Sequence, residues 1–157
     1  MTASAAVFVI ALATILGALA FEHLGGYPAC PLCLQERYAY YFAVPAAATA
    51  FLFAWARMPM PARIWLALIA VVFFVNAGLG VYHAGIEWKW WTGPVTCAGG
   101  TPIEWGEGGL AEQLENAQVI RCDEASWRFL WLSFAGWNAV ISGFLAAIAA
   151  YGAGWRR

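Results

Sequence analysis

Charge is what this sequence has least of. Only 11% of its 157 residues are Asp, Glu, Lys or Arg, against about 25% in an ordinary soluble domain. Four stretches, residues 2–21, 38–56, 64–86 and 129–155, contain no Asp, Glu, Lys or Arg at all. A chain this short and 63% hydrophobic lacks the polar surface to cover itself in water. Alternation is missing too: the apolar runs are continuous, which excludes the strands of a membrane barrel. Each run is long enough for a helix to cross about 30 Å of hydrocarbon, and in lipid a helix pairs its backbone groups internally. The first run lacks a basic leader and exceeds the usual signal-peptide core, so Ala18-Leu19-Ala20 is expected to stay uncleaved.

The expected fold is therefore an all-α membrane protein, a single integral membrane domain over residues 1–157 built as a four-transmembrane-helix bundle. The spans are expected near residues 3–22, 38–56, 64–84 and 129–152, with loops at 23–37 and 85–128. Pro45 is positioned to kink the second span, which membrane helices tolerate.

Acidic residues are absent from the short middle loop, residues 57–63, and from the C-terminus, which ends in Arg156-Arg157. Short basic segments stay in the cytoplasm. All nine acids fall within residues 22–37 and 87–124, in or at the edge of the first and third loops, so these two are expected to face the periplasm and both termini the cytoplasm. The net charge of -1 carries no signal for nucleic acid, and none is expected as a partner. The ten tryptophans suit membrane–water interfaces, and Trp88, Trp90 and Trp91 are expected to anchor one. The start of the third loop is rich in Gly and Pro. Residues 110–120, with Leu110, Leu114 and Ala117 on one face, are compatible with a short interfacial helix.

All four cysteines lie in the two outward loops: Cys30 and Cys33 in the first, Cys97 and Cys122 in the third. An oxidising compartment is where disulfides persist. The absence of a His after Cys33 excludes c-type haem attachment, and the wide Cys97–Cys122 spacing argues against a zinc site; no metal is expected. Two static disulfides would be a common use of such cysteines. Against that use, a Cys30–Cys33 bond closes so short a loop that it removes little chain entropy. Pro31 suits the first helical position, with Cys30 near the N-cap and Cys33 in the first turn, where the helix dipole favours a thiolate. Arg37 follows Cys33 by four residues, on the same helical face. The dipole favours Cys30 as the thiolate and Arg37 favours Cys33, and the two pull in opposite directions. Glu36 reads as a solvated interface charge, and His83 and His23 as interfacial histidines, His83 being the better candidate for a site.

The string Cys30-Pro31-Leu32-Cys33-Leu34-Gln35-Glu36-Arg37 resembles the signature of the DsbB family of disulfide-bond formation proteins. Tyr82-His83 at the end of the third apolar run and Cys122-Asp123-Glu124 before Trp127 are also similar to that family, and to its DsbI branch. The resemblance implies a membrane electron-transport enzyme of the bacterial inner membrane. It would reoxidise a DsbA-like periplasmic thioredoxin-fold protein and pass electrons to a quinone, ubiquinone or menaquinone. By that likeness Cys97 receives the partner's attack and Cys122 is released. Cys30 takes up Cys122 in an inter-loop disulfide, and Cys33 becomes the thiolate facing the quinone. Arg37 and His83 are then the quinone-binding candidates. Vitamin K epoxide reductase is a second redox likeness, but its C-x-x-C lies late in the chain. A membrane protein with two static disulfides is the non-enzymatic alternative.

Overall fold

A computed structural model describes residues 1–94 and 121–154. Four helices are long and apolar enough to cross a membrane: α1 (Thr2–His23), α2 (Pro31–Trp55), α3 (Pro59–Glu87) and α4 (Phe134–Gly154). The protein is a multi-pass, all-α membrane bundle, as the four charge-free runs require. Cys97 and the helix expected at 110–120 lie outside the described residues.

The helix starts follow local chemistry. Pro31 and Pro59 occupy the first turns of α2 and α3, where a missing N–H costs nothing. Cys30 caps α2, its sulfur accepting the Cys33 N–H at 3.1 Å. The helical part of the fourth run begins only at Phe134. Residues ahead of it, expected to be the start of the span, form a two-strand hairpin instead, β1 (Arg128–Phe129) with β2 (Leu132–Ser133). Leu130 and Trp131 make its turn with positive φ at both positions, the conformation that a tight hairpin turn demands. Trp131 is almost fully exposed, and an amphipathic ring of this kind suits the membrane interface.

The core is made of small residues. Ala11, Ala43, Ala47, Ala50 and Ala149 are completely buried between Val7, Ile69, Phe73 and Leu145. Small side chains let helix backbones approach, which is how membrane helices gain packing contacts without a hydrophobic driving force. A close approach of two helix backbones occurs at Gly80 of α3. A methyl group there would lie 2.9 Å from the Ala139 backbone nitrogen and 3.1 Å from the Ala135 carbonyl oxygen of α4. Backbone cannot swing aside as a side chain can. Gly80→Val is therefore expected to cost about 1–3 kcal/mol, the usual penalty of overpacking, and to lower the detergent melting temperature. Gly78→Val, where a methyl meets nothing within 4 Å, is its control. Equal melting temperatures for the two variants would show that the α3–α4 approach is not tight.

Polar side chains inside the bundle satisfy one another. Tyr40 of α2 donates to the Asn138 amide oxygen at 2.8 Å, and Asn76 of α3 donates to Ser142 at 2.9 Å and to the same Asn138 oxygen at 3.2 Å. This network ties three helices together where water is absent. It leaves the Asn138 amide nitrogen buried with no partner.

Candidate active site

The first loop turns back at Gly26 and delivers Cys30 to the head of α2. Cys30 is buried, and its sulfur lies 2.7 Å from that of Cys33. Both are free thiols. The conflict between dipole and Arg37 resolves locally in favour of Cys30. The hydrogen bond from Cys33 holds the Cys30 thiol below its ordinary pKa, helped by the Cys33 and Leu32 backbone N–H groups and opposed by burial. Any base that draws on this thiol finds it already weakened as a proton holder.

His83 comes from the last turns of α3, where helix periodicity turns it inward. It is 1% exposed. One ring nitrogen, Nε2, lies 3.6 Å from the Cys30 sulfur, and the other, Nδ1, lies 2.9 Å from the Glu36 carboxylate. Glu36 is itself buried, at 6% exposure, which corrects its reading as a solvated interface charge. The reason is its helical offset: Glu36 follows Cys33 by three residues, so it shares the inward face. Glu87, one turn beyond His83, is also buried and hydrogen-bonded to Ser133, and its second carboxylate oxygen has no partner.

Cys122 arrives from the far side of the third loop, is disulfide-bonded and is 1% exposed. The Cys30 and Cys122 sulfurs and a ring nitrogen of His83 all lie within 4.8 Å of one another. The first and third loops, remote in sequence, thus meet sulfur to sulfur. Spacing of this kind also suits a metal ion, but a metal binds thiolate, and Cys122 is committed to a disulfide.

The next residue fixes that meeting. Lys89, just past α3, donates to the Asp123 carbonyl at 2.9 Å and to its carboxylate at 2.7 Å. Arg121 grips the same carboxylate through two nitrogens, at 2.8 and 2.7 Å. These bonds, Arg121 first, hold the Asp123 carboxyl far below the usual carboxylate range. Asp123→Ala is expected to slow exchange between Cys122 and Cys30 a few-fold while leaving the melting temperature in place. Quench-alkylation of the exchanging thiols measures the rate, and an unchanged rate would show that the clamp does not position Cys122.

Arg37 points into the same region but is not alone there. It forms an ion pair with Glu22 at the end of α1, a partner 15 residues away that no helical spacing announces. His23, beside it, is exposed. Trp88, Trp90 and Trp91 remain partly exposed at the end of α3, with the Trp91 ring nitrogen donating to the Tyr82 carbonyl at 2.8 Å. They take no part in lining the cavity described next.

A cavity of about 450 Å³ opens beneath the thiols. Cys30, Cys33, Glu36, Arg37, Tyr40 and His83 form its polar side. Phe21, Tyr27, Trp127, Phe134 and Trp137 supply aromatic walls, and Asn138 lies deeper in. All four helices contribute to it. Binding pockets for small molecules fall in this size range and have this make-up, mostly apolar with a few convergent polar groups.

A family model described as Disulfide bond formation protein DsbB matches residues 1–152. The chain belongs to the DsbB family. No curated protein and no solved structure matched it. This DsbB-family chain is therefore a multi-pass membrane oxidoreductase of disulfide-bond formation.

Proposed function

We propose that the protein oxidises the dithiol of a periplasmic, DsbA-like thioredoxin-fold partner and passes the electron pair to a membrane quinone. The observation that carries this reading is the approach of Cys30, Cys122 and His83 to within 4.8 Å. Disulfide exchange needs an attacking sulfur, a disulfide and access along one line. A static staple has no use for a second cysteine pair at that distance, least of all one held as two free thiols.

The steps are those that the family likeness implies. A thiolate of the partner attacks Cys97, in the Gly- and Pro-rich loop, and Cys122 leaves. Cys122 then attacks Cys30 of an oxidised Cys30–Cys33 pair and joins the two loops, and Cys33 leaves as thiolate. Cys33 lines the cavity, so the electron pair arrives there. The quinone, when bound, supplies a two-electron, two-proton acceptor.

The residues present fit such a group. A quinone is a flat ring with acceptor oxygens on opposite edges. Aromatic walls suit its faces. Arg37 carries five N–H donors, of which Glu22 takes only part, so the rest would be open to a carbonyl oxygen. Deeper in the cavity the Asn138 amide nitrogen is a buried donor without a partner, an arrangement that costs free energy until an acceptor arrives. Arg37, Cys33 and His83 hold the end of the ring nearest the thiols. The charge pattern of the loops puts this end of the bundle on the periplasmic side of the bacterial inner membrane, with both termini in the cytoplasm.

The test uses the purified chain in detergent with a reduced thioredoxin-fold partner and a short-chain quinone. Quinone absorbance is expected to fall in step with formation of the partner's disulfide, one quinone for each disulfide. Partner oxidation with no loss of quinone would overturn the electron acceptor. Neither change would return the cysteines to a static role.

A further inference from the structure

The chain of contacts leading away from Cys33 runs in one direction. Cys33 lies 2.7 Å from Cys30, Cys30 lies 3.6 Å from His83 Nε2, and His83 Nδ1 lies 2.9 Å from Glu36. A carboxylate has no proton to give, so Nδ1 is the nitrogen that carries hydrogen. In the neutral ring Nε2 is then the lone pair that faces the Cys30 thiol. A buried histidine oriented in this way by a carboxylate is the arrangement that activates nucleophiles.

We infer that His83 is the proton acceptor for the thiol of Cys30, and that Glu36 is the positioning residue that keeps His83 in the receptive tautomer. This rests on the proposed quinone reaction and deepens it. When the Cys30–Cys33 bond forms, each sulfur loses one proton and together they release one electron pair. The S–S bond is made and two S–H bonds are broken. The electron pair and the two protons are what reduction of a quinone to a quinol consumes. Cys30 is buried, and its proton needs a carrier to leave. His83 touches Cys30 on one side and lines the cavity on the other, so the proton passes from sulfur to ring to cavity without entering lipid. A ring nitrogen of His83 also stands within 4.8 Å of the Cys122 sulfur, so the ring can take that proton too when Cys122 becomes the attacking group.

Other ionisable groups surround His83. Cys33 and Glu36 face it from α2, Glu87 lies one turn on in α3, and Cys122 faces it from the third loop. Further out, Arg37 is tied to Glu22 of α1, and Arg128 stands beside Glu87. The cavity-facing stretch of α4 offers only Asn138 as a polar side chain, which does not titrate.

The test reads the thiol directly and uses neither quinone nor partner. Full-length protein in detergent, with Cys30 and Cys33 reduced, is treated with iodoacetamide between pH 6 and 9.5. The Cys30 peptide is then quantified by mass spectrometry. Replacing His83 by Gln is expected to slow Cys30 alkylation about tenfold at pH 7, the effect of one pKa unit. The rate should converge on that of the unaltered chain at alkaline pH, where the thiol ionises unaided. Glu36→Gln keeps the shape and a hydrogen-bond acceptor but removes the charge, and should show a smaller loss with the same alkaline recovery. A purely structural role predicts a different result: loss by the same factor at every pH, or no loss. Either result in both variants overturns the inference. If the pH-dependent loss appears while the unaltered chain fails to reduce quinone, the relay stands and the quinone reading falls.

Discussion

Replacing Cys33 by Ala is expected to abolish turnover and to lock the protein with a bond between Cys30 and Cys122. On the proposed scheme the Cys30 thiol, held below its ordinary pKa, attacks the disulfide-bonded Cys122, whose sulfur is within 4.8 Å, and Cys97 leaves as the thiol. In the unaltered chain Cys33, 2.7 Å away, resolves that bond by attacking Cys30. With Cys33 gone that resolution is lost, and the inter-loop disulfide accumulates. Proteolysis under non-reducing conditions followed by mass spectrometry should recover the Cys30 and Cys122 peptides joined. The Cys30→Ala variant should lose turnover equally but yield no such species. A joined Cys30–Cys97 peptide, or free Cys30 in the Cys33→Ala protein, would show that the first loop does not exchange through Cys122.

The second large effect is expected at Arg37. Arg37→Ala should preserve the fold and partner docking but weaken use of quinone. A hydrogen bond to a charged group is worth roughly 1.5–3 kcal/mol, which corresponds to about 10- to 150-fold in affinity. Lysine should restore part of this, because a point charge lacks the planar fork. The Glu22 ion pair adds a control that the sequence did not offer. Glu22→Gln frees the guanidinium without removing it, so its quinone dependence should stay close to that of the unaltered chain, while Arg37→Ala loses it. Turnover against quinone concentration, with partner saturating, separates the cases. An unchanged quinone dependence in Arg37→Ala would leave Arg37 as an anchor for α1. A raised half-saturation for the partner alone would move its role to docking.

Much of the site was legible because its spacings are local. Cys30 as N-cap, Pro31 at the first helical position and Cys33 in the first turn follow from four consecutive residues, and the helix does form there. Glu36 was misread because a charge beside Arg37 looks like a surface pair. Its partner, His83, is 47 residues away on another helix, and no one-dimensional pattern reports such a meeting. A cue did exist in the offset of three from Cys33 and in the rarity of ionisable groups within apolar runs, where they are costly and tend to be functional. The hairpin before α4 was missed for a different reason. Hydropathy registers that residues 129–132 are apolar, but not that Leu130 and Trp131 take positive φ and turn the chain before the helix begins.

What the sequence determined by itself is the solvent of each segment. Four charge-free runs commit the chain to lipid because nothing else pairs their backbone groups at so small a cost. The acids and cysteines fall to one side because the basic segments hold the other. What only the tertiary structure decided is which distant groups touch: Cys122 against Cys30, His83 between them, Glu36 behind His83, and Glu22 on Arg37. Transfer into the bilayer depends on composition summed along a segment, so it can be read from the segment. Contact between segments depends on how small residues such as Gly80 let helices approach and rotate, and that is settled only when all four are packed together.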